Sequence, residues 1–121
     1  DLKNVSIAPG LVKIPSECFK GCKKLEYIEI PYGCKEIESF AFMECYSLRE
    51  IKLNDDLDRI HGASCFKNCQ KLETLCLPKS LRMIYDTNFS FLPSLKKLII
   101  PKELVRQHKF RVPNNCEIVL F

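Results

Sequence analysis

A chain of 121 residues with 46% hydrophobic side chains is one domain's worth of material, with enough apolar surface for a packed core, which excludes wholesale disorder. Nineteen Lys/Arg against 15 Asp/Glu give a net charge of +4 with the signs interleaved, too small and too scattered for a phosphate footprint, so nucleic acid is not an expected partner. No apolar run approaches the ~18 residues of a membrane span, and Asp1-Leu2-Lys3 shows neither a basic flank nor an apolar stretch, so no signal peptide is legible. With no initiator Met, the chain reads as a mature or trimmed product.

The first element is a strand, because Val5 and Ile7 alternate with Asn4 and Ser6. Ile14 follows as an isolated apolar position, and then Cys18-Phe19-Lys20-Gly21-Cys22-Lys23-Lys24-Leu25, where Phe19 and Cys22 share a face at i and i+3 as in a short helical turn. The basic stretch from Lys20 to Lys24 reads as a solvated turn. The same series then restarts. Ile28 and Ile30 alternate with Tyr27 and Glu29 and end at Pro31, which has no N–H to donate and suits a strand end. Ile37 comes six residues later, followed by Ala41-Phe42-Met43-Glu44-Cys45-Tyr46-Ser47-Leu48. The third pass runs through Ile51 and Leu53, Asn54 in the proline slot, Ile60, and Cys65-Phe66-Lys67-Asn68-Cys69-Gln70-Lys71-Leu72, with one extra residue within His61-Gly62-Ala63-Ser64. The fourth runs through Leu75, Leu77, Pro78 and Ile84 to the weaker copy Asn88-Phe89-Ser90-Phe91-Leu92-Pro93-Ser94-Leu95. Leu98, Ile100 and Pro101 open a fifth, after which the pattern decays: Leu104 fits, Phe110 falls early, and Glu117-Ile118-Val119-Leu120 reads as a closing strand.

The anchoring residues Phe19, Phe42, Phe66 and Phe89 are 23, 24 and 23 positions apart. A period in this range marks a solenoid. The expected architecture is an α/β repeat: a short right-handed solenoid with a parallel β-sheet on one face, short helical turns on the other, and a ladder of phenylalanines through the core. It spans 1–121 as one domain, with rungs at about 2–24, 25–47, 48–71, 72–94 and 95–121, the last a degenerate C-terminal cap.

Leu-x-x-Ile-x-Ile-Pro, then Ile, then Ala/Cys-Phe-x-x-Cys-x-x-Leu resembles the BspA-type leucine-rich repeat from Val5 to Pro101. Copy four departs from the pattern at Asn88 and Leu92. The resemblance implies a curved leucine-rich-repeat solenoid of a kind common in surface proteins of bacteria and parasitic protists and often associated with adhesion.

Eight cysteines invite a disulfide or zinc reading. Cys22, Cys45 and Cys69 hold one repeat position, Cys18 and Cys65 hold another that Ala41 also fills, and Cys34 stands where other copies have Leu11, Leu57 and Leu81. Positions that accept Ala, Leu or Cys call for an apolar side chain, and free Cys behaves as one. Buried thiols therefore rank first, bridges between stacked rungs second, and metal last, since Cys-x3-Cys is not a usual zinc spacing. Cys76 alternates with Leu75 and Leu77 and should face outward. The histidines, His61 on the insertion turn and His108 in the tail, have no evident thiol partner for nucleophilic catalysis. Four glycines leave no phosphate loop and no paired-carboxylate motif stands out, so no enzyme activity and no cofactor are expected. Asn4-Val5-Ser6 and Asn88-Phe89-Ser90 match glycosylation acceptors, with chance occurrence the default.

Function is expected on the sheet face. Its outward residues are Asn4 and Ser6, Tyr27 and Glu29, Glu50 and Lys52, Thr74 and Cys76, then Lys97 and Ile99. Ligand-binding candidates are the eight from Tyr27 to Ile99, with Tyr27 and the outward Ile99 as contact anchors. Ten side chains fall short of the roughly 20–30 residues a side of a standard interface, which predicts weak binding, use of edges and loops, or membership of a longer array. The expected role is a protein-interaction module at the cell surface or secreted, adhering to a host or matrix protein. The alternative is a cytoplasmic scaffold repeat for a regulatory protein, which abundant unpaired thiols would suit.

Overall fold

The computed structural model describes residues 3–89, 92–107 and 110–121. Its elements follow the repeat. Strands β1 (Asn4–Ser6), β2 (Lys13–Ile14), β3 (Tyr27–Glu29), β4 (Glu36–Ile37), β5 (Glu50–Lys52), β6 (Arg59–Ile60), β7 (Thr74–Cys76) and β8 (Met83–Ile84) come first. They are followed by β9 (Lys97–Ile100), helix α1 (Lys102–Gln107) and β10 (Glu117–Leu120). All pairings are parallel, and the alternating residues stack in register: Val5, Ile28 and Ile51 in one sheet, Leu75, Leu98 and Ile118 in the next. The architecture is a parallel-sheet β-solenoid of few residues per strand, in which each rung is completed by its neighbours.

The isolated isoleucines are themselves strand residues. β2, β4, β6 and β8 form a four-stranded sheet in which Ile14, Ile37, Ile60 and Ile84 stack in register, each buried. A two-residue strand is too short to show alternation, so the sequence marks the position and not the ladder. The short turns expected around each Phe are present, with little regular helix in them. Among the described residues, helix is confined to a 3-10 turn at Asp86–Phe89 and to α1. Elsewhere the Phe segments are turns whose N–H groups alternate between partners. Lys20 N donates to Glu17 O and Cys22 N to Phe19 O within the rung, while Phe19 N donates to Ala41 O at 2.8 Å and Gly21 N to Met43 O at 2.9 Å in the next. Left-handed residues at Glu17, Phe40, Glu44 and Asn68, with φ from 62° to 65°, interrupt any continuous helix.

The phenylalanine ladder stacks over its first three members. Phe19 and Phe42 stack with centroids 5.4 Å apart, and Phe42 and Phe66 at 6.0 Å, with ring planes within 8°. Phe89 is buried and meets Phe110, early in sequence, edge-on with ring centroids 5.5 Å apart. Two asparagines are core residues. Asn54, in the proline slot, donates its side-chain amide to Ile30 O. Asn88 Oδ1 accepts from Cys65 N at 2.9 Å while Nδ2 donates to Gly62 O at 2.8 Å. Asn88 is 1% exposed, and its amide bridges rungs where the other copies place a small residue.

Phe42→Ala should cost about 3–5 kcal/mol in urea unfolding, the range for a phenylalanine stacked on both faces inside a core. Phe19→Ala, on a ring that is only partly buried at the first rung, should cost clearly less. Equal losses would mean the ladder carries no special share of the stability.

Candidate interaction surface

The sheet face places the outward candidates in two columns. Asn4, Tyr27 and Glu50 lie in register across β1, β3 and β5, beside Ser6, Glu29 and Lys52. Thr74, Lys97 and Glu117 continue across β7, β9 and β10, beside Cys76, Ile99 and Val119. Glu50, Lys52, Thr74, Cys76 and Lys97 are exposed, whereas Tyr27, Glu29 and Ile99 are half-buried. The face is therefore six strands wide, because β10 adds Glu117 and Val119 to the ten residues read from the sequence. Charges near one end are matched between rungs: Lys3 and Arg49 both face Glu26, at 3.8 and 3.7 Å, and Lys52 Nζ lies 3.4 Å from Glu29 Oε1. At the other end Cys76, Ile99 and Val119 make a row of low polarity.

The six strands are not one sheet. β5 and β7 lie side by side, yet pairing stops between them, leaving two three-stranded sheets. The break falls in the rung that carries the extra residue at His61–Ser64. A cleft of about 440 Å³ opens there, lined by Arg49, Glu50, Lys52, Glu73, Thr74 and Cys76, with Ile51 and Leu53 at its base. The cleft thus brings together four of the eight candidates and links the charged half of the face to the apolar row. Tyr27, Glu29, Lys97 and Ile99 flank it on neighbouring strands. The sequence signal for the cleft was the single 24-residue spacing.

The thiols separate into two groups. Cys34, Cys45, Cys65 and Cys69 are buried. Cys45 Sγ donates to Phe19 O and Cys69 Sγ to Phe42 O, both at 3.1 Å, so the thiols step up the stack as the phenylalanines do. Burial pushes Cys45 and Cys65 up to about 12, and Cys69 higher still. Such thiols are packing groups, not nucleophiles. Cys18 corrects the expectation drawn from its repeat position: it is exposed, and Cys22 is half-buried. The first rung has no described rung before it to cover these side chains, whereas Cys65, at the position equivalent to Cys18, lies between two rungs. Cys76 is exposed on the sheet face, as the alternation requires.

His61 has a carboxylate partner, not a thiol: its Nε2 donates to Glu36 Oε1 at 2.7 Å. This bond holds the Glu36 carboxyl below the ordinary carboxylate range, with Lys13 adding to the effect. Glu38 joins the cluster through Lys13, whose Nζ lies 3.1 Å from Glu38 Oε1. One ligand-type atom from each of Glu36, Glu38 and His61 falls within 4.8 Å of the others. Order along the chain does not by itself bring these three residues together. The cluster's signals were the Glu-x-Glu alternation around Ile37 and the register that sets position 61 beside position 38. His108 lies outside the described residues. The nearby aspartates serve turns and ion pairs: Asp56 Oδ2 accepts from Gly33 N, Asp55 Oδ1 from Lys79 N, and Asp58 pairs with Arg59 and Arg82.

A family model described as the BspA type leucine rich repeat region matches residues 1–117 in six copies. The fold is similar to that of a leucine rich cell surface protein from Faecalibacterium prausnitzii, with TM-score 0.85 and 21% identity over 99% of this chain and 32% of that one. A T. pallidum leucine rich repeat protein aligns with TM-score 0.74 and 26% identity over 98% of this chain and 51% of that one. The pneumococcal vaccine antigen PcpA aligns with TM-score 0.70 and 24% identity over 82% of this chain and 24% of that one. The chain thus spans about half or less of the length of these three proteins. No curated protein matches it. Among the described residues, no helix is long and apolar enough to cross a membrane.

Thiol titration should resolve the two groups of cysteines. In the folded protein an aromatic disulfide reagent should modify Cys18 and Cys76 rapidly and leave Cys34, Cys45, Cys65 and Cys69 intact for as long as the fold persists. Fast loss of Cys65 or Cys69 without unfolding would contradict the burial described above.

Proposed function

The chain belongs to the BspA-type leucine-rich-repeat family, and from that membership we infer that it is a protein-interaction module without enzymatic activity, whose sheet face is the binding surface. The observation that carries this reading is the β5/β7 cleft, which gathers Glu50, Lys52, Thr74 and Cys76 beside the low-polarity row of Ile99 and Val119. Solenoids bind partners along such extended faces. An outward row of mixed charge ending in apolar side chains suits a protein surface better than a small polar ligand. Tyr27, Glu29 and Lys97 then act as flanking contacts.

The proposed setting is the cell surface or the secreted space, with a host or matrix protein as the ligand. Support comes from relatives of the same fold, one described as a cell surface protein and one as a vaccine antigen. The unbridged thiols, four of them buried, favour a second reading: an intracellular scaffold in a reducing compartment. Six short strands make a wall only about 25 Å long at the usual strand spacing. A single chain should therefore bind weakly and gain affinity when several are displayed together.

Binding of the chain to a panel of purified matrix proteins, and to proteins of its own cytosol under reducing conditions, tests both readings. Thr74→Arg/Ile99→Glu should weaken any specific complex about thirtyfold, the loss of roughly 2 kcal/mol that a central contact carries. Tyr85→Ala, an exposed site just past β8 and away from the sheet face, should leave it unchanged. A matrix ligand supports the surface reading and a cytosolic one the scaffold reading. A complex that tolerates Thr74→Arg/Ile99→Glu would remove the sheet face from consideration.

A further inference from the structure

A side-chain cluster beside the β2–β8 sheet carries an inference independent of the sheet-face reading. Glu36 and Glu38 flank the buried Ile37 and so project from the same side of their strand. Inter-rung bonds bring position 61 beside them: Glu38 N donates to Ile14 O at 2.9 Å, and His61 N makes the equivalent bond to Ile37 O at 2.8 Å. Gly62 then seats against the preceding rung at φ 80°, where a Cβ would come 2.5 Å from Ser39 Oγ. The tight approach holds His61 over the two carboxylates. In the register of this sheet the first rung offers only Lys13 and Pro15 at these two positions, and the fourth Met83 and Tyr85. Ligand chemistry is thus confined to the meeting of the second and third rungs, at the extra residue in the period.

We propose that Glu36, Glu38 and His61 form a site for a divalent cation of the zinc type, which ties the second rung to the third. Two carboxylates and an imidazole supply three protein ligands, and water can complete a tetrahedron, since the side chains of Glu36, Glu38 and His61 keep 30%, 25% and 27% of their exposure. The imidazole selects against magnesium and calcium, which take oxygen ligands. Lys13 places its ammonium against the same two carboxylates. Its Nζ lies 3.1 Å from Glu38 Oε1 and 4.0 Å from Glu36 Oε2, on a side chain that is 51% exposed and free to swing into solvent. The ion replaces one positive charge with two between the same carboxylates. Coordination through Nε2 requires that nitrogen to give up its proton, which moves to solvent while Nδ1 carries the ring hydrogen.

Cobalt(II) titration of the whole reduced chain, followed by absorbance and calorimetry, tests the site while monitoring the cysteines. Visible d–d bands report coordination, and a near-ultraviolet thiolate-to-cobalt band would report cysteine ligation. One equivalent should bind without the thiolate band, and be displaced by zinc but not by equal magnesium. His61→Ala and the isosteric Glu38→Gln should each weaken binding at least about tenfold, while Lys13→Met should tighten it several-fold. Absence of binding, a thiolate band that rises with occupancy, or affinity unchanged in His61→Ala or Lys13→Met would overturn the proposal.

Discussion

No rung of this solenoid satisfies its own backbone. Strands of two to four residues have no partner within the rung, and in the Phe segments alternate N–H groups reach across to the next copy. Buried backbone groups must be paired, so each rung folds only against a neighbour, and stability accumulates by nearest-neighbour contacts rather than around a central nucleus. That requirement sets the spacing. Once the backbone of one rung is hydrogen-bonded to the next, side chains 23 or 24 positions apart lie over each other, and the core becomes a set of columns: isoleucine on isoleucine, phenylalanine on phenylalanine, thiol after thiol.

The columns explain the composition of the core. Ala41 and Cys65 occupy equivalent buried positions, and Leu92 replaces the cysteine of earlier copies without exposure. What such a column demands is volume without an unpaired polar group, and a protonated thiol satisfies that demand while also donating to a carbonyl of the preceding rung. Burial keeps these thiols protonated, which removes them from chemistry. Asn54 and Asn88 follow the same rule with more polar means: each amide is buried and bonded to the backbone of another rung.

Outward positions escape that demand, and function is free to use them. The sheet face alternates compensated charge with an apolar row, and its β5/β7 cleft sits in the rung with the extra residue. The same rung carries His61, and the turn that follows it packs onto the rung before. One insertion therefore accompanies both the break in the sheet and the side-chain cluster on the other ladder. Local departures from a repeat are the places where a solenoid acquires individual chemistry.

The period, the strand alternation, the phenylalanine ladder and the outward placement of Cys76 were legible in the sequence, because each is a property of residue order along the chain. The outward placement of the sheet-face residues was legible for the same reason, up to the fifth strand. Other features required the tertiary structure. The β2–β8 ladder was hidden because a two-residue strand has no period. The turns around Phe19 and Phe42 do not extend into helix because alternate N–H groups bond to another rung, which i, i+3 spacing does not reveal. Cys18 and Cys65 are alike in sequence and differ in burial because only Cys65 lies between two described rungs. The approach of His61 to Glu36 and Glu38 depends on a hydrogen-bond register across 23 residues. Order along the chain determined which residues recur; inter-rung hydrogen bonding decided which of them meet.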